Sequence, residues 1–141
     1  MLPDYVTQLH DARRKAGHSC RSLGIEIGRT YETVSRVERE AKGNFETLTR
    51  IASALGYDLR LFTLHEGKLL THGLDSEHLG AQLYCYRRGV IRKPRKAFIR
   101  PTLSLDAIIS IEADPACVRF GSVEEYARAL GLTIGLTKQL N

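Results

Sequence analysis

Apolar residues recur at intervals of three and four along the first part of the chain, a spacing typical of helices with one buried face. The pattern predicts four helices, which are separated by Gly17, Gly28 and the loop around Gly43. The positions expected to be buried are Val6, Leu9, Ala12, Ala16, Leu23, Ile27, Val34, Val37, Phe45, Leu48, Ile51, Ala52 and Leu55. The alternating segment YDLRLF at residues 57–62 then predicts a short strand.

Two hydroxyl residues mark the start of the second and third predicted helices. Ser19 and Thr30 can each accept a hydrogen bond from a free backbone N–H group in the first helical turn. Thr33 follows Thr30 at the spacing of a capping box but lacks the carboxylate that completes one. Since Val34 and Val37 face the core, the third helix is expected to present its other side to solvent. That side consists of Tyr31, Glu32, Ser35, Arg36 and Arg39.

The same plan begins again after a polar stretch with several glycines at residues 63–76, which we interpret as a linker. A shift of 74 positions aligns TQLHDARR at residues 7–14 with AQLYCYRR at residues 81–88. With one inserted residue, FETLTRIASALGYDLRLF at residues 45–62 aligns with FGSVEEYARALGLTIGLT at residues 120–137. The sequence therefore predicts two divergent copies of one small helical unit.

The two copies define predicted domains of residues 1–62 and 77–141, and each ends in a short strand that needs a partner. Residues 58–62 can pair with residues 132–136 of the same chain, which makes the molecule an internal pseudo-dimer. Alternatively, like strands pair between two chains in a homodimer. The sequence leaves both arrangements open.

The chain of 141 residues carries 21 Lys and Arg against 16 Asp and Glu, a net charge of +5. An excess of positive charge favours polyanionic partners such as nucleic acids. The sequence has no apolar segment of signal-peptide length at its start and no apolar run long enough to span a membrane. We therefore expect a soluble, cytoplasmic protein without membrane contact.

Catalytic and metal-binding patterns are missing from the sequence. Cys20, Cys85 and Cys117 are widely spaced and form no CxxC or Cys/His ligand pattern. The five histidines show no HxxxH or HExxH spacing, and no nucleophile elbow or phosphate-binding loop occurs. We interpret the cysteines as reduced packing residues and expect no enzyme activity, cofactor or metal.

Residues 17–39, GHSCRSLGIEIGRTYETVSRVER, resemble the helix-turn-helix of the lambda-repressor-like (XRE/Cro) family of DNA-binding proteins. The positions that match the family pattern without a gap are Gly17, Ser19, Leu23, Gly28, Thr33, Val34, Ser35, Arg36 and Glu38. With the helix that follows, the resemblance extends over residues 5–62. It implies a mainly α fold of two such units, each ending in a short β-strand that can pair in a small antiparallel ribbon.

The resemblance also implies which residues contact double-stranded DNA. In this family the third helix, here within residues 28–39, enters the major groove, and the start of the second helix lies beside a phosphate. The implied base readers are Tyr31, Glu32, Ser35 and Arg36. The implied phosphate contacts are Ser19, Arg21, Arg29, Thr30 and Thr33, and Arg39 completes the DNA-binding set.

Glu38 is expected to have a structural role. In the family an acidic residue at this position pairs with an arginine of the first helix, and Arg13 is the matching residue here. The second copy has both partners, as Arg87 and Glu112. The resemblance therefore implies one ion pair in each copy and no catalytic residue.

The second copy departs from the family pattern in its expected recognition helix. SLDAIIS at residues 104–110 replaces TYETVSR, so Leu105 and Ile109 occupy the positions of two implied base readers. Together with Ile108, they are expected to form an apolar face that suits a protein partner better than a base edge.

The segment at residues 87–100 holds seven cations and no acidic residue, and Pro94 and Pro101 are expected to alter its turn. It is either a solvated basic loop or a surface that contacts the phosphate backbone without reading bases. In the second case the backbone contacts are Arg92, Lys93, Arg95 and Lys96.

Two functions stay open at the level of sequence. The first is a sequence-specific DNA-binding transcriptional regulator, in which the first copy reads DNA and the second serves dimerisation, backbone contact or partner binding. The alternative is a protein-interaction module, such as the antitoxin of a toxin–antitoxin pair, whose second domain binds a partner protein.

Overall fold

The computed structural model describes residues 2–70 and 78–139. The chain is mainly helical and contains a two-stranded antiparallel sheet, as predicted. The elements of the first half are α1 Asp4–Lys15, α2 Cys20–Ile27, α3 Tyr31–Glu40, α4 Phe45–Ala54 and β1 Tyr57–Thr63. Those of the second half are α5 Leu79–Tyr86, α6 Leu105–Ala113, α7 Phe120–Ala129 and β2 Leu132–Lys138. In the described parts of the chain, no helix combines the length and apolar character needed to cross a membrane.

The predicted caps of α2 and α3 are present. The hydroxyl of Ser19 accepts a hydrogen bond from the backbone N–H of Ser22, and the hydroxyl of Ser22 accepts one from the backbone N–H of Ser19. This reciprocal pair is a capping box with Ser in place of the usual carboxylate residue. The Thr30 hydroxyl accepts from the backbone N–H of Thr33 at 3.3 Å. Both helices therefore begin where the sequence predicts.

The prediction that Ala16 is buried was wrong. α1 ends at Lys15, and Ala16 lies in the exposed turn that follows. Ala12 and Leu55 are half-buried, whereas the other positions of the predicted apolar faces in the first half are buried. The three- and four-residue spacing thus continues one residue beyond the end of the helix.

The hydrophobic core is one cluster with residues from both halves. The rings of Tyr5 and Phe120 meet edge to face with centroids 6.2 Å apart, and Gly43 packs beside the same Phe120 ring. β1 and β2 pair along all seven residues of each, with Leu61 opposite Ile134. Of the two arrangements open from the sequence, the structure has the strand pairing within one chain.

The first part of the predicted linker packs against β1. The backbone N–H of Thr63 donates to the Lys68 carbonyl at 2.9 Å, and that of Leu70 donates to the Leu61 carbonyl at 2.8 Å. The Leu70 side chain is buried. Residues 64–70 therefore form a turn that returns to the sheet, while the remainder of the predicted linker, residues 71–76, lies outside the described residues.

The second half differs from the first between α5 and α6. α5 continues into a wide π-helical turn at Arg87–Ile91, and Arg92 follows in a left-handed conformation with φ of 61°. A single 3₁₀ turn at Arg95–Phe98 then occupies the place of an eight-residue second helix. Pro94 and Pro101 flank this turn, and neither has a backbone N–H group to donate in a longer helix. Residues 78–139 therefore contain no counterpart of α2 with the same length.

α5 and α6 approach each other closely at Gly80. A Cβ atom at this position would lie well inside van der Waals contact with the Ile111 carbonyl oxygen, which belongs to the backbone of α6. Val6 occupies the aligned position of the first half, so α1 and α3 do not require this close approach. Gly80 therefore sets the packing of the two main helices of the second half.

We expect Gly80→Ala to lower the free energy of unfolding by about 1–3 kcal/mol, because a backbone atom of α6 must move to admit the methyl group. Gly121→Ala is the matched control, since Gly121 is also helical and its Cβ would meet no atom within 4 Å. The control should gain up to about 1 kcal/mol from helix propensity. Urea unfolding followed by circular dichroism measures both, and equal effects would contradict the close helix contact.

Candidate nucleic-acid interface

α3 presents a polar face to solvent opposite its buried residues. Val34, Val37 and Glu38 are buried, while the other side of the helix lines a shallow groove. The groove is lined by Tyr31, Glu32, Ser35, Arg36, Arg39 and Glu40. The structure therefore brings together all four implied base readers and Arg39 on one surface.

A compact turn joins α2 to this helix. Gly28 ends α2 in a left-handed conformation with φ of 72°, which glycine adopts without steric cost. The backbone N–H of Arg29 donates to the Gly24 carbonyl at 2.8 Å. A Cβ atom on Gly24 would lie 2.7 Å from the Arg29 carbonyl oxygen, so the absence of a side chain lets the two helices approach. α3 is held close to α2 at its first turn and is exposed along its outer face.

The implied phosphate contacts surround the start of α2 and α3. Ser19, Arg21 and Thr30 are exposed, and Arg29 and Thr33 are half-buried. The guanidinium group of Arg21 lies over the Tyr31 ring at 5.6 Å from its centroid, which links a phosphate candidate to a base-reading candidate. The Thr30 and Thr33 hydroxyls are hydrogen-bonded to each other at 3.0 Å.

A buried carboxylate holds α3 against α1. Glu38 accepts hydrogen bonds from Arg13 Nε at 2.6 Å and Nη2 at 2.9 Å, and a further one from His10 Nδ1 at 2.7 Å. Arg13 also donates to the His18 carbonyl at 2.7 Å, so the same guanidinium group fixes the start of α2. The ion pair implied by the sequence is present, and its geometry is bidentate.

The environment of Glu38 keeps it charged. Burial alone raises the pKa of this carboxyl, but the hydrogen bonds from Arg13 and His10 and the charge of Arg13 outweigh that effect and lower the pKa below its ordinary value. The same contact with Glu38 raises the pKa of Arg13. Both partners are thus ionised at neutral pH.

The second half has the equivalent pair, and its carboxylate has different additional partners. Glu112 accepts from Arg87 Nε at 2.7 Å and Nη2 at 3.1 Å, and also from Arg95 Nε at 2.7 Å and from the Tyr126 hydroxyl. Burial raises the pKa of Glu112, yet the hydrogen bonds from these three side chains together lower it below its ordinary value. Through Arg95, this carboxylate holds part of the basic segment at residues 87–100 against the core.

The predicted backbone contacts of the second half therefore differ from one another. Arg92, Lys93 and Lys96 are exposed, whereas Arg95 is half-buried and paired with Glu112. Three arginines of the basic segment gather on one ring, because Arg87, Arg88 and Arg95 all lie with their guanidinium carbons 5.5–5.9 Å from the Tyr84 ring centroid. In the aligned copies, Tyr84 occupies the position of His10, which is hydrogen-bonded to the buried Glu38 of the first half. This alignment is the sequence signal that could have located the arginine cluster.

The predicted apolar face of α6 is smaller than expected. Leu105 and Ile109 are exposed at 40% and 42%, but Ile108 is fully buried. Ile108 aligns with Val34, and both residues face the core of their half. The expectation that Ile108 belongs to an exposed apolar face was therefore wrong.

A second groove adjoins α3 and was not predicted from the sequence. It runs beside Arg29, Thr33 and Arg36 towards the loop before α4, and its far wall includes Arg119 from the second half. No local sequence pattern marks Arg119, because its position depends on how the two halves pack.

Within residues 2–70 and 78–139, no group of three or more His, Cys, Asp or Glu side chains is placed to hold a metal ion. Cys117 is exposed, so the interpretation of the cysteines as packing residues was wrong at this position.

Comparison of the chain with protein-family models, with curated proteins and with solved structures found no match. The resemblance to the lambda-repressor-like family therefore depends on the residues of the motif and not on an overall match.

The Glu112 cluster has a consequence for the dependence of stability on pH. Because the pKa of Glu112 is lowered on folding, its stabilising contribution is present above its ordinary value of 4.5 and is lost as the pH falls below it. Glu124 acts in the opposite direction, since burial raises its pKa. We expect Glu112→Gln to be less stable than the native chain at pH 7 by about 3–5 kcal/mol, because Arg87 stays buried without its anion.

Between pH 6 and pH 3, the Glu112→Gln variant should also lose less stability than the native chain, because the substituted side chain does not titrate. The measurement is urea unfolding at each pH. Glu66→Gln is the control, since the Glu66 side chain is exposed and paired with the exposed Lys68. Parallel stability curves for the native chain and the Glu112 variant would show that this carboxylate is not the acid-sensitive group.

Proposed function

We propose that this chain is a sequence-specific DNA-binding transcriptional regulator, in which residues 28–39 carry the helix that enters the major groove. The observation that supports this most is the exposed polar face of α3, which is anchored from behind by the buried Arg13–Glu38 pair. A helix that is fixed on one side and polar on the other can enter the major groove without a change in the fold.

Arg36 is the side chain best suited to read a base. It is 74% exposed, and its nearest acidic partner is the exposed Glu40 at 4.0 Å. An exposed pair of this kind contributes little, so Arg36 can leave it at small cost. A bidentate contact with guanine O6 and N7 discriminates by about 1–3 kcal/mol. Glu32 on the same face can accept from the amino group of cytosine.

The internal β1–β2 ribbon favours the pseudo-dimer over a homodimer through like strands, because both strands already have a partner. A single recognition helix reads few base pairs, and such modules usually gain affinity from a second half-site. In this proposal the second half, or a second chain bound through another surface, supplies that affinity. A regulator of this kind acts in the cytoplasm, where it meets the DNA.

We expect Arg36→Ala to weaken specific DNA binding by about 5- to 150-fold, the equivalent of 1–3 kcal/mol. The measurement is fluorescence anisotropy at physiological salt with the DNA upstream of the protein's own gene, beside a scrambled duplex of equal length. Lys68→Ala is the control for the loss of one charge, because Lys68 lies in the turn after β1 and lines neither groove along α3. If the native chain prefers the upstream duplex and Arg36→Ala weakens binding to it by less than twofold, Arg36 is not a base reader.

A second candidate function is a protein-interaction module of the antitoxin type. The observation that favours it is the pair of exposed apolar side chains on α6, Leu105 and Ile109, which line one depression with Tyr84, Arg88 and Lys96. An apolar floor with a basic rim suits an acidic protein segment with apolar anchors.

Co-expression with the product of the adjacent gene tests this second candidate. If that product is the partner, the two should co-elute in size-exclusion chromatography, and Ile109→Glu should separate them because it places a charge on the apolar floor. Val90→Glu is the control, since Val90 is 51% exposed and does not line the depression. Separate elution of the native proteins would remove this partner from consideration.

A further inference from the structure

One wall of the groove beside α3 is built by the second half of the chain. Four cations line this groove, three from the first half and one from the second, namely Arg29, Arg36, Lys42 and Arg119. Glu40 is the single acidic side chain among its lining residues, and it lies 4.0 Å from Arg36. The groove therefore has an excess of positive charge that includes both halves.

The backbone of Arg119 is held in place by the loop before α4. The Phe45 backbone N–H donates to the Val118 carbonyl at 2.7 Å, and the Phe120 backbone N–H donates to the Gly43 carbonyl at 3.1 Å. These two hydrogen bonds enclose Arg119 and place it opposite Asn44 in an antiparallel bridge. The side chain of Arg119 is exposed, so a fixed backbone presents a solvent-facing cation.

The internal repeat explains why these two residues meet. Asn44 and Arg119 are aligned positions of the two copies, each directly before the last helix of its half. Equivalent loops face each other across the pseudo-dimer, as do the equivalent strands β1 and β2. The second copy has a cation where the first has an amide, and this cation lies on the α3 side of the molecule.

The groove is continuous with the base-reading face. Arg36 and Glu40 line both the shallow groove of α3 and the groove that contains Arg119. A duplex that receives α3 in its major groove carries its phosphate backbone along the two sides of that helix. The cations beside α3 are therefore placed where a backbone phosphate passes.

We propose that Arg119 of the second half, together with Lys42 and Arg29, binds a phosphate of the DNA strand that borders the major groove occupied by α3. The two halves then form one DNA-binding surface, and the second half contributes affinity without reading bases. This inference depends on the proposed function, since it takes α3 as the helix in the groove.

The test uses the salt dependence of binding by the full chain. Each phosphate contact contributes about 0.9 to the slope of log affinity against log salt concentration. We expect Arg119→Gln to reduce that slope by about 0.9 and to weaken binding about five- to tenfold at 0.1 M salt. The loss should be equal for an upstream duplex and for its scrambled version, because a phosphate contact carries no sequence information.

Two variants separate a charge effect from a structural one. Arg119→Lys retains the cation and should restore most of the slope, while Lys138→Gln removes an exposed cation of the second half that lies outside the groove and should leave the slope unchanged. Thermal unfolding checks that Arg119→Gln remains folded.

The outcomes of the test are distinct. If the native chain binds DNA and Arg119→Gln has the native slope, the role of Arg119 is refuted and the proposed function is unaffected. If the native chain binds neither duplex at low salt, both the proposed function and the inference fail. If Arg119→Gln has a reduced slope on both duplexes and the native chain binds both duplexes equally, the phosphate contact is supported and sequence-specific binding is refuted.

Discussion

The pairing of β1 with β2 is the constraint on which the rest of the structure depends. Each strand is too short to be stable alone, and each has its partner in the other half of the chain. This pairing brings Phe120 against Tyr5 and gives the two halves one hydrophobic core. It also places Arg119 beside Asn44, and thereby beside α3. The presence of Arg119 in the groove beside α3 is therefore a consequence of the pairing of β1 with β2.

The two buried carboxylates show how the copies have diverged while both retain the same Arg–Glu ion pair. Glu38 has donors from α1, Arg13 and His10, and a weaker one from α2, the Cys20 thiol at 3.8 Å, so the outer face of α3 stays free. Glu112 has an additional donor from the basic segment, Arg95, and another from α7, Tyr126. The segment that replaces the second helix is therefore held against the core through the contact of Arg95 with Glu112. The same ion pair supports an exposed polar face in one half and a closed arrangement in the other.

Features that depend on neighbouring residues could be predicted from the sequence. The caps at Ser19 and Thr30, the turn at Gly28 and the pairing of Glu38 with Arg13 follow from local spacing or from the family motif. The inward position of Arg95 could not be predicted, because it depends on packing that spacing does not specify. The burial of Ile108 follows from its alignment with Val34, a signal that the prediction of an exposed apolar face did not use. Arg119 was missed because its position also depends on packing: it lies beside Asn44, which is 75 positions earlier in the sequence. The strand pairing was one of two alternatives that the sequence left open, because the same strand segments can pair within one chain or between two chains.

The internal pseudo-dimer has a consequence for how a chain of this kind would gain affinity for DNA. A symmetric dimer gains affinity by reading the same half-site twice, which requires two equivalent recognition helices. Here α6 presents Leu105 and Ile109 where α3 presents Tyr31 and Ser35, so the second half has no equivalent set of polar side chains. The strands that a like-strand homodimer would use are already paired within the chain. Under the proposed function, affinity beyond that of one helix comes either from a second chain bound through another surface or from phosphate contacts, which are strong at low salt and independent of sequence. The proposed contact at Arg119, a cation fixed beside α3 by the second half, would act without a second half-site, and an operator bound in this way would have no need of two-fold symmetry.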